Sequence, residues 1–326
     1  MASEGRSGRG CVFFNFGAAY ALRLLVSIYS LRKFYDGPIT VFLAPDENSD
    51  ALGQDIHKIA ADVALMDQLS STCDRYRVFT ESPFEATLSF DSDIVFRGSI
   101  DALWEPLERD GVLVTRFFVP LYGVEGTAAS PGFGNRMALL ENIQDLVERS
   151  TYDRAVQRLA DRIDINIGVL GVSRPRGDGF LADWAECMER GRNRAILLLD
   201  EMLVVALVGD YPHYLADESW NCPADEYFRR TNLADASIIH YFADAHFLLG
   251  HRMGRNPATW AGRIWYACYF EAATAHDLKR WRVLDRSFDW KAEPLLANGP
   301  VIAAKNTLRN AERAIRRARK RLLGQN

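Results

Sequence analysis

The chain has 326 residues, 48% hydrophobic and 25% charged, so it can bury a large core and is too apolar to be disordered as a whole. Its five cysteines form an odd set without a CxxC pair, which argues against a zinc site and favours a reduced, cytoplasmic setting. No apolar run reaches the roughly 18 residues that a membrane span needs, so any membrane contact is expected to be peripheral.

The first hundred residues alternate apolar runs with amphipathic stretches. Residues 1–10 are small and polar, and we expect them to be disordered. The following runs predict, in chain order, a strand at 11–16, a helix at 18–34, a strand at 39–44, a helix at 50–61, a strand at 63–66, a polar helix ending at Arg77, and a strand at 86–90. Such continuous apolar strands with helices between them predict an α/β fold with a mostly parallel sheet covered on both faces.

The second part of the chain continues the pattern and then changes composition. A helix is predicted at 99–107, a strand at 112–116, two further helical stretches, and an apolar strand at 167–172. The segment after Pro257 is helical and Trp-rich, and then rich in Lys and Arg. We therefore predict one α/β domain over residues 11–256 and a helical C-terminal extension over 257–326.

Two acids follow the apolar run in "LSFDSDIV", which spans Leu88–Val95. Open parallel sheets bind ligands beyond the carboxyl ends of their strands, where Asp91 and Asp93 are predicted to lie. Their carboxylates are hard oxygen ligands suited to Mg²⁺ or Mn²⁺. The competing interpretation is a turn acid at Asp91 and a helix cap at Asp93, because a DxD pair is common by chance.

Five blocks of sequence occur in an order that has a known counterpart. They are "FFNFGAAYALRLLVSIYSLRKFYDGPITVFL", "SPFEATLSFDSDIVFRGSIDALWEPL" (82–107), "INIGVLGV" (165–172), "LDEMLVVAL" (199–207) with "SWNC" (219–222), and "IIHYFADAH" (238–246). Together they resemble the nucleotide-sugar-dependent glycosyltransferases of the GT-A fold, especially family 8 and its bacterial relatives. The resemblance extends over roughly residues 11–247 and implies a GT-A-like fold for that region.

The resemblance also implies roles for individual side chains. Asp91, Asp93 and His240 would hold Mn²⁺ or Mg²⁺, and Asp200 and Glu201 would act at the sugar. The implied contacts to the donor nucleotide are Phe14, Asn15, Arg75, Arg77, Ser92, Asn166, Gly168 and His246. A buried structural histidine is the alternative for His240, and the sequence alone does not choose between Arg75 and Arg77.

The chain departs from the family pattern at two places. The family block after the histidine usually carries a glycine and then a lysine that contacts the phosphates, whereas this chain has Ala243 and His246. Asp200 and Glu201 stand where family 8 commonly has Asp-Gln. An exposed acid pair that opens a helix is the competing interpretation of these two residues, because acids favour the first helical turn.

The implied activity is glycosyl transfer from a nucleotide diphosphate sugar to a hydroxyl of a carbohydrate or lipid-linked acceptor, with retention at the anomeric carbon. The loops at 117–133 and 210–232 are expected to shape the acceptor side. "DSDIV" also fits the nucleophile motif of haloacid dehalogenase-type phosphohydrolases, but the candidate second motif, "GDGFLAD" (177–183), is one residue too long. A non-catalytic nucleotide-sugar binder is the third possibility.

The C-terminal tail is strongly basic. From Lys305 onward it carries eight Lys and Arg and one Glu, a net charge of +7, so the rest must carry −11 to give the total of −4. Leu308, Ala311, Ile315, Ala318 and Leu322 recur on one helical stripe. This pattern predicts a helix on the anionic inner membrane face; packing on the acidic body or a dimer contact is the alternative. Nucleic acid is not an expected partner, because no aromatic residue interleaves the basic run.

Overall fold

A seven-stranded sheet forms the centre of the fold. The computed structural model describes residues 8–67, 69, 71–117, 136–161, 163–196, 198–224, 231–241 and 260–284. The strands of the described residues are β1 Arg9–Asn15, β2 Ile39–Leu43, β3 Asp62–Leu65, β4 Ala86–Phe90, β5 Ile94–Phe96, β6 Val112–Phe117, β7 Asp164–Ser173, β8 His213–Ala216, β9 Cys222–Pro223 and β10 Ile238–His240. The large sheet has the order β3-β2-β1-β4-β7-β6-β8.

Six of these seven strands run in the same direction. β1 is parallel to β2 and β4, β2 to β3, and β6 to β8, whereas β7 is antiparallel to both β4 and β6. The predicted mostly parallel sheet is therefore confirmed. Because β7 is reversed, its first half lies beside the carboxyl ends of β4 and β6, with Val169 opposite Phe90 and Asn166 opposite Thr115.

Helices cover both faces of the sheet, as predicted. They are α1 Ala21–Arg32, α2 Ser49–Lys58, α3 Arg75–Thr80, α4 Trp104–Asp110, α5 Arg136–Glu141, α6 Arg149–Ala160, α7 Asp178–Gly191, α8 Leu199–Leu207, α9 Trp260–Ala275 and α10 Lys279–Leu284. Alternate residues of β6 point into different cores: Leu113 packs in the core with α1, α4, α9 and α10, and Val112 and Val114 pack in the core with α5 to α8. This alternation is the two-residue period of a strand.

A second, three-stranded sheet has the order β5-β10-β9. β10 is antiparallel to β5, so that His240 is paired with Ile94, and parallel to β9. The Asp91 to Asp93 turn connects β4 of the large sheet with β5 of the small one. The two sheets therefore place the carboxyl end of β4, the first half of β7 and the end of β10 next to one another.

Several predicted boundaries differ from the structure. β1 begins at Arg9, so Arg9 and Gly10 belong to the sheet and not to a disordered N-terminal segment. A 3-10 turn at Ala18–Tyr20 precedes α1, and another at Asp101–Leu103 precedes α4, which extends to Asp110. Helix ends are the least determined part of a periodic pattern. Within the described ranges, no helix is both long enough and apolar enough to span a bilayer.

Candidate active site

The backbone of the DSD turn is held from two sides. Asp91 directly follows β4, and its N–H donates to the carbonyl of Gly168 in β7, at 2.9 Å. The carbonyl of Asp93 accepts a hydrogen bond of 2.8 Å from the N–H of Tyr241, which follows β10. Both acidic side chains are only partly buried, whereas His240 is 2% exposed. The turn is thus fixed while its carboxylates remain open to a ligand.

Asp91, Asp93 and His240 form one cluster, with ligand atoms within 4.8 Å of one another. His240 Nε2 lies 3.1 Å from Asp93 Oδ1 and 3.6 Å from Asp91 Oδ2. Burial alone would lower the pKa of His240, but the carboxylates of Asp93 and Asp91 outweigh burial and raise it. Two carboxylates and an imidazole thus face one point, and the negative charge of the two acids favours a cation there. This donor set fits Mn²⁺ or Mg²⁺.

Gly168 leaves the space in which the His240 ring lies. A Cβ on residue 168 would come within 2.4 Å of His240 Cε1 and 2.6 Å of Nδ1, both far inside van der Waals contact. Asn166 lies two residues earlier on the same strand, and its Oδ1 accepts a 3.0 Å hydrogen bond from the N–H of Gly168. The glycine of the Asn-x-Gly pattern therefore makes room for the histidine ring.

Arg75 links the DSD turn to the acid pair of α8. Its Nη1 lies 2.8 Å from Asp91 Oδ1, and its Nε lies 3.3 Å from Asp200 Oδ2. Its guanidinium also lies 4.9 Å from the centre of the Phe14 ring, a cation–π distance. Arg75 is buried at 4% exposure. Arg77 instead pairs with Glu81 four residues later, at 2.9 Å, away from this cluster.

Asp200 and Glu201 are both buried, at 3% and 5% exposure, so the pair is not an exposed helix start. Burial raises the pKa of Asp200 to about 6, with Arg75 opposing the shift. Glu201 Oε1 accepts from Arg136, and Oε2 accepts a 2.9 Å hydrogen bond from Asn166 Nδ2. Buried acids with such partners are typical of functional clefts.

Of the remaining predicted site residues, Asn15 and Ser92 are described by the structure. Asn15 ends β1 and donates from Nδ2 to the carbonyl of Gly17, at 3.2 Å, so its side chain stabilises its own turn. Ser92 lies partly exposed in the turn between the two acids. His246 lies outside the described residues.

Two residues of the site, Arg136 and Asn221, had no predicted role. Arg136, at the start of α5, contacts Asp164 through Nε at 2.7 Å and also contacts Glu201. Asn221 Oδ1 lies 2.9 Å from His240 Nδ1, and Asn221 Nδ2 donates to Thr115 Oγ1 at 2.8 Å. The "SWNC" block pointed to Asn221 without indicating its role. Nothing in the local sequence around Arg136 distinguishes it from a surface arginine.

The second motif needed by a haloacid dehalogenase-type enzyme lies at the wrong end of the sheet. Ser173, which ends β7, is paired with Ala86, the first residue of β4. The segment after β7 therefore lies at the amino end of β4, whereas Asp91 follows its carboxyl end. Asp178 pairs with Arg174, at 2.7 Å, at the start of α7. The two acid groups therefore cannot share one site, and the phosphohydrolase interpretation lacks support.

No protein-family model and no curated protein sequence matches the chain. Solved glycosyltransferases match its fold. GlyE of Streptococcus pneumoniae TIGR4 is 13% identical, with 85% of this chain and 62% of that chain covered and a TM-score of 0.51. The galactosyltransferase LgtC, in complex with donor and acceptor sugar analogs, is 15% identical, with 84% and 99% covered and a TM-score of 0.50. The bifunctional glycosyltransferase WbbM is 13% identical, with 85% and 53% covered and a TM-score of 0.54.

These similarities define the fold as that of the GT-A glycosyltransferases, as the resemblance predicted. The chain spans about three fifths of the length of GlyE and about half of that of WbbM. At such low identity the likeness shows the fold alone.

Proposed function

We propose that this protein is a metal-dependent glycosyltransferase that moves a sugar from a nucleoside diphosphate sugar to an acceptor hydroxyl, with retention at the anomeric carbon. The observation that carries the proposal is the Asp91, Asp93 and His240 cluster at the carboxyl edge of a GT-A sheet. The acceptor class we propose is a carbohydrate or a lipid-linked sugar. Retention rests on the family resemblance alone.

The chemistry requires stabilisation of two opposite charges. A divalent ion held by Asp91, Asp93 and His240 would act as a Lewis acid toward the leaving diphosphate. Arg75 adds a fixed positive charge beside Asp91, and its partners keep its guanidinium from turning away. By resemblance to family 8, the carboxylate of Asp200 would accept hydrogen bonds from hydroxyls of the donor sugar. The charge of Glu201 would favour an oxocarbenium-like transition state.

The first prediction concerns the metal. Release of free nucleoside diphosphate should be measured from UDP, GDP, ADP and dTDP sugars, with Mn²⁺ and with excess chelator. Asp93→Asn removes a charged ligand and should lower turnover by at least about 100-fold, the upper range for outer-shell partners of a metal. Asp178→Asn, at the opposite sheet edge, is the matched control and should keep full turnover.

The same assay separates the competing functions. A phosphohydrolase would release inorganic phosphate and respond to Asp178→Asn, and a pure binder would release nothing while its thermal unfolding shifted with the donor. Unchanged turnover in excess chelator would contradict the proposal of metal dependence.

A further inference from the structure

A continuous line of hydrogen bonds connects α8 to the metal cluster. Asn166 Nδ2 donates to Glu201 Oε2 at 2.9 Å, and Asn221 Nδ2 donates to Asn166 Oδ1 at 2.8 Å. Asn221 Oδ1 lies 2.9 Å from His240 Nδ1, whose other nitrogen faces Asp91 and Asp93. All four side chains are buried, between 1% and 6% exposed, so water does not compete for these bonds.

The direction of each bond in this line is determined by its surroundings. The N–H of Gly168 can only donate, so the atom of Asn166 that faces it must be oxygen. The hydroxyl of Thr115 donates to the main-chain carbonyl of Asn166, at 2.8 Å. It therefore presents a lone pair to Asn221 Nδ2. Asn221 must therefore turn its oxygen toward His240. A proton on His240 Nδ1 satisfies that oxygen and leaves the lone pair of Nε2 for a metal.

Glu201 ends this line because, among the residues that the structure describes, both of its oxygens face only donors. Arg136 Nη1 contacts Oε1, while Asn166 Nδ2 and the N–H of Ile167, at 3.4 Å, face Oε2. A glutamine at residue 201 would have to turn its NH₂ group toward one of these donors. Family 8 commonly has glutamine at the position of Glu201. In this chain the carboxylate of Glu201 pairs with Arg136, which also pairs with Asp164.

We propose that Glu201 is a positioning residue for the metal ligand His240. Held by Arg136, it orients Asn166, which orients Asn221, which keeps the proton on His240 Nδ1 and the lone pair of Nε2 directed between Asp91 and Asp93. The inference rests on the proposed metal-dependent function and adds a role for Glu201 that does not require contact with the sugar.

Mn²⁺ affinity of the full chain, measured by calorimetry without any sugar, tests this role. Glu201→Gln and Asn221→Leu should each weaken Mn²⁺ binding by about 10- to 100-fold, as for outer-shell partners elsewhere. The double variant should bind Mn²⁺ no more weakly than Asn221→Leu alone, because the line is already broken there. If Glu201→Gln does not fold, Glu201→Ala, which leaves Arg136 paired with Asp164, takes its place in the same cycle.

Asp200→Asn is the matched control for charge. It removes an acid from the same turn of α8, but Asp200 contacts Arg75 and not Asn166. Its effect on Mn²⁺ affinity should be smaller than that of Glu201→Gln and should add to that of Asn221→Leu. If Asp200→Asn and Glu201→Gln weaken binding equally and both add to Asn221→Leu, Glu201 acts only through its charge and the inference is wrong.

A spectroscopic readout gives independent information. In the Mg²⁺ complex with ¹⁵N-labelled histidine, the Nδ1–H proton of His240 should exchange slowly with solvent, and it should exchange faster in Glu201→Gln. An unchanged proton and unchanged Mn²⁺ affinity, together with reduced sugar transfer, would overturn the positioning role and leave the proposed function intact. Absence of Mn²⁺ binding by the wild-type chain would instead contradict both.

Discussion

A single methyl group at residue 168 would occupy the place of the His240 ring. The added Cβ would lie 2.4 Å from His240 Cε1, so the ring would have to move away from Asp91 and Asp93. Gly171, three residues later on β7, is also tight, but its Cβ would meet the flexible ends of Leu107 and Leu88, at 3.0 Å. A side chain at residue 168 would thus disturb the metal cluster, whereas one at residue 171 would disturb only core packing.

The second prediction compares these glycines. Gly168→Ala should weaken Mn²⁺ binding by at least about tenfold, because it displaces a ligand that even an outer-shell change would affect by that much. Gly171→Ala should lower the free energy of unfolding by about 1 to 3 kcal/mol through overpacking, with Mn²⁺ affinity retained. Calorimetry and urea unfolding measure the two effects. Equal Mn²⁺ affinities in both variants would mean that His240 is not a ligand.

The third prediction concerns the pH dependence of metal-free protein. Burial raises the pKa of Asp200 from its ordinary 3.8 to about 6, so ionised Asp200 is disfavoured in the folded state. The folded state instead favours protonated Asp200. This stabilisation is complete below about pH 4 and is lost as the pH rises through 6. The free energy of unfolding of the wild type, relative to Asp200→Asn, should therefore fall by up to about 3 kcal/mol between these limits. A difference that stays constant with pH in urea unfolding would contradict this.

Among the elements, β7 could be predicted as a strand, but its direction could not. Its ten residues are all buried, which predicts a strand between covered faces, but the pattern carries no information about direction. The reversed direction brings Asn166 and Gly168 beside Asp91. The same limit applies to Arg136, which lies 28 residues from Asp164 and 65 from Glu201, because pairing over such separations leaves no local periodicity.

The short helix α3 resolves the choice between its two arginines. Arg75 and Arg77 are two positions apart, so they point away from each other on a helix. Arg75 turns toward Phe14 and Asp91, while Arg77 turns toward Glu81. The residue types were sufficient to predict a basic group, and only the packing of α3 selects which one.

α10 is fastened to α2 by a buried acid, Asp55. Asp55 accepts hydrogen bonds from Trp281 Nε1 at 2.7 Å, Arg280 Nε at 3.1 Å and Lys58 Nζ at 2.8 Å. The C-terminal helices also share the core that contains α1, since Trp265 and Trp281 are fully buried in it.

The fourth prediction tests this attachment. Asp55→Ala should lower the free energy of unfolding by about 2 to 3 kcal/mol, less than for a fully buried ion pair because Arg280 is about half exposed. Amide exchange of α9 and α10 should rise at the same time. Asp50→Ala, in the exposed first turn of α2, is the control and should cost under about 1 kcal/mol. Equal losses for both would show that Asp55 does not anchor α10.

At the scale of the whole molecule, the alternation of strands and helices and the position of the DSD turn were predictable, since both depend on local patterns. The GT-A fold, which the resemblance of five ordered blocks to known glycosyltransferases implied, is confirmed. Asn221 and Arg136 were not predictable, because they act through contacts between segments far apart in the chain. The division at residues 256 and 257 and most of the predicted loop at 117–133 lie outside the described residues. The segment predicted as a loop at 210–232 contains β8 and β9, so that part of the prediction was wrong. The assignment of 117–133 and 210–232 to the acceptor side stays a prediction.

The basic tail also lies outside the described residues, and its charge suggests the fifth prediction. Each Lys or Arg near an anionic membrane contributes on the order of 1 kcal/mol to binding. The narrow apolar stripe of the tail has only three large side chains, Leu308, Ile315 and Leu322. Charge should therefore dominate membrane binding. The full chain should co-sediment with anionic liposomes at about 0.1 M salt and bind more weakly as the Debye length shortens with added salt.

A chain ending at Ala304 should lose this binding, and neutral liposomes should retain neither form. A third form, with Leu308, Ile315 and Leu322 all changed to Ala, separates the stripe from the charge: it should keep most of the binding if charge dominates. Equal binding of the full and shortened chains to anionic liposomes would assign the tail to another surface. The acidic body is then the expected site, because it must carry the −11 that balances the +7 of the tail.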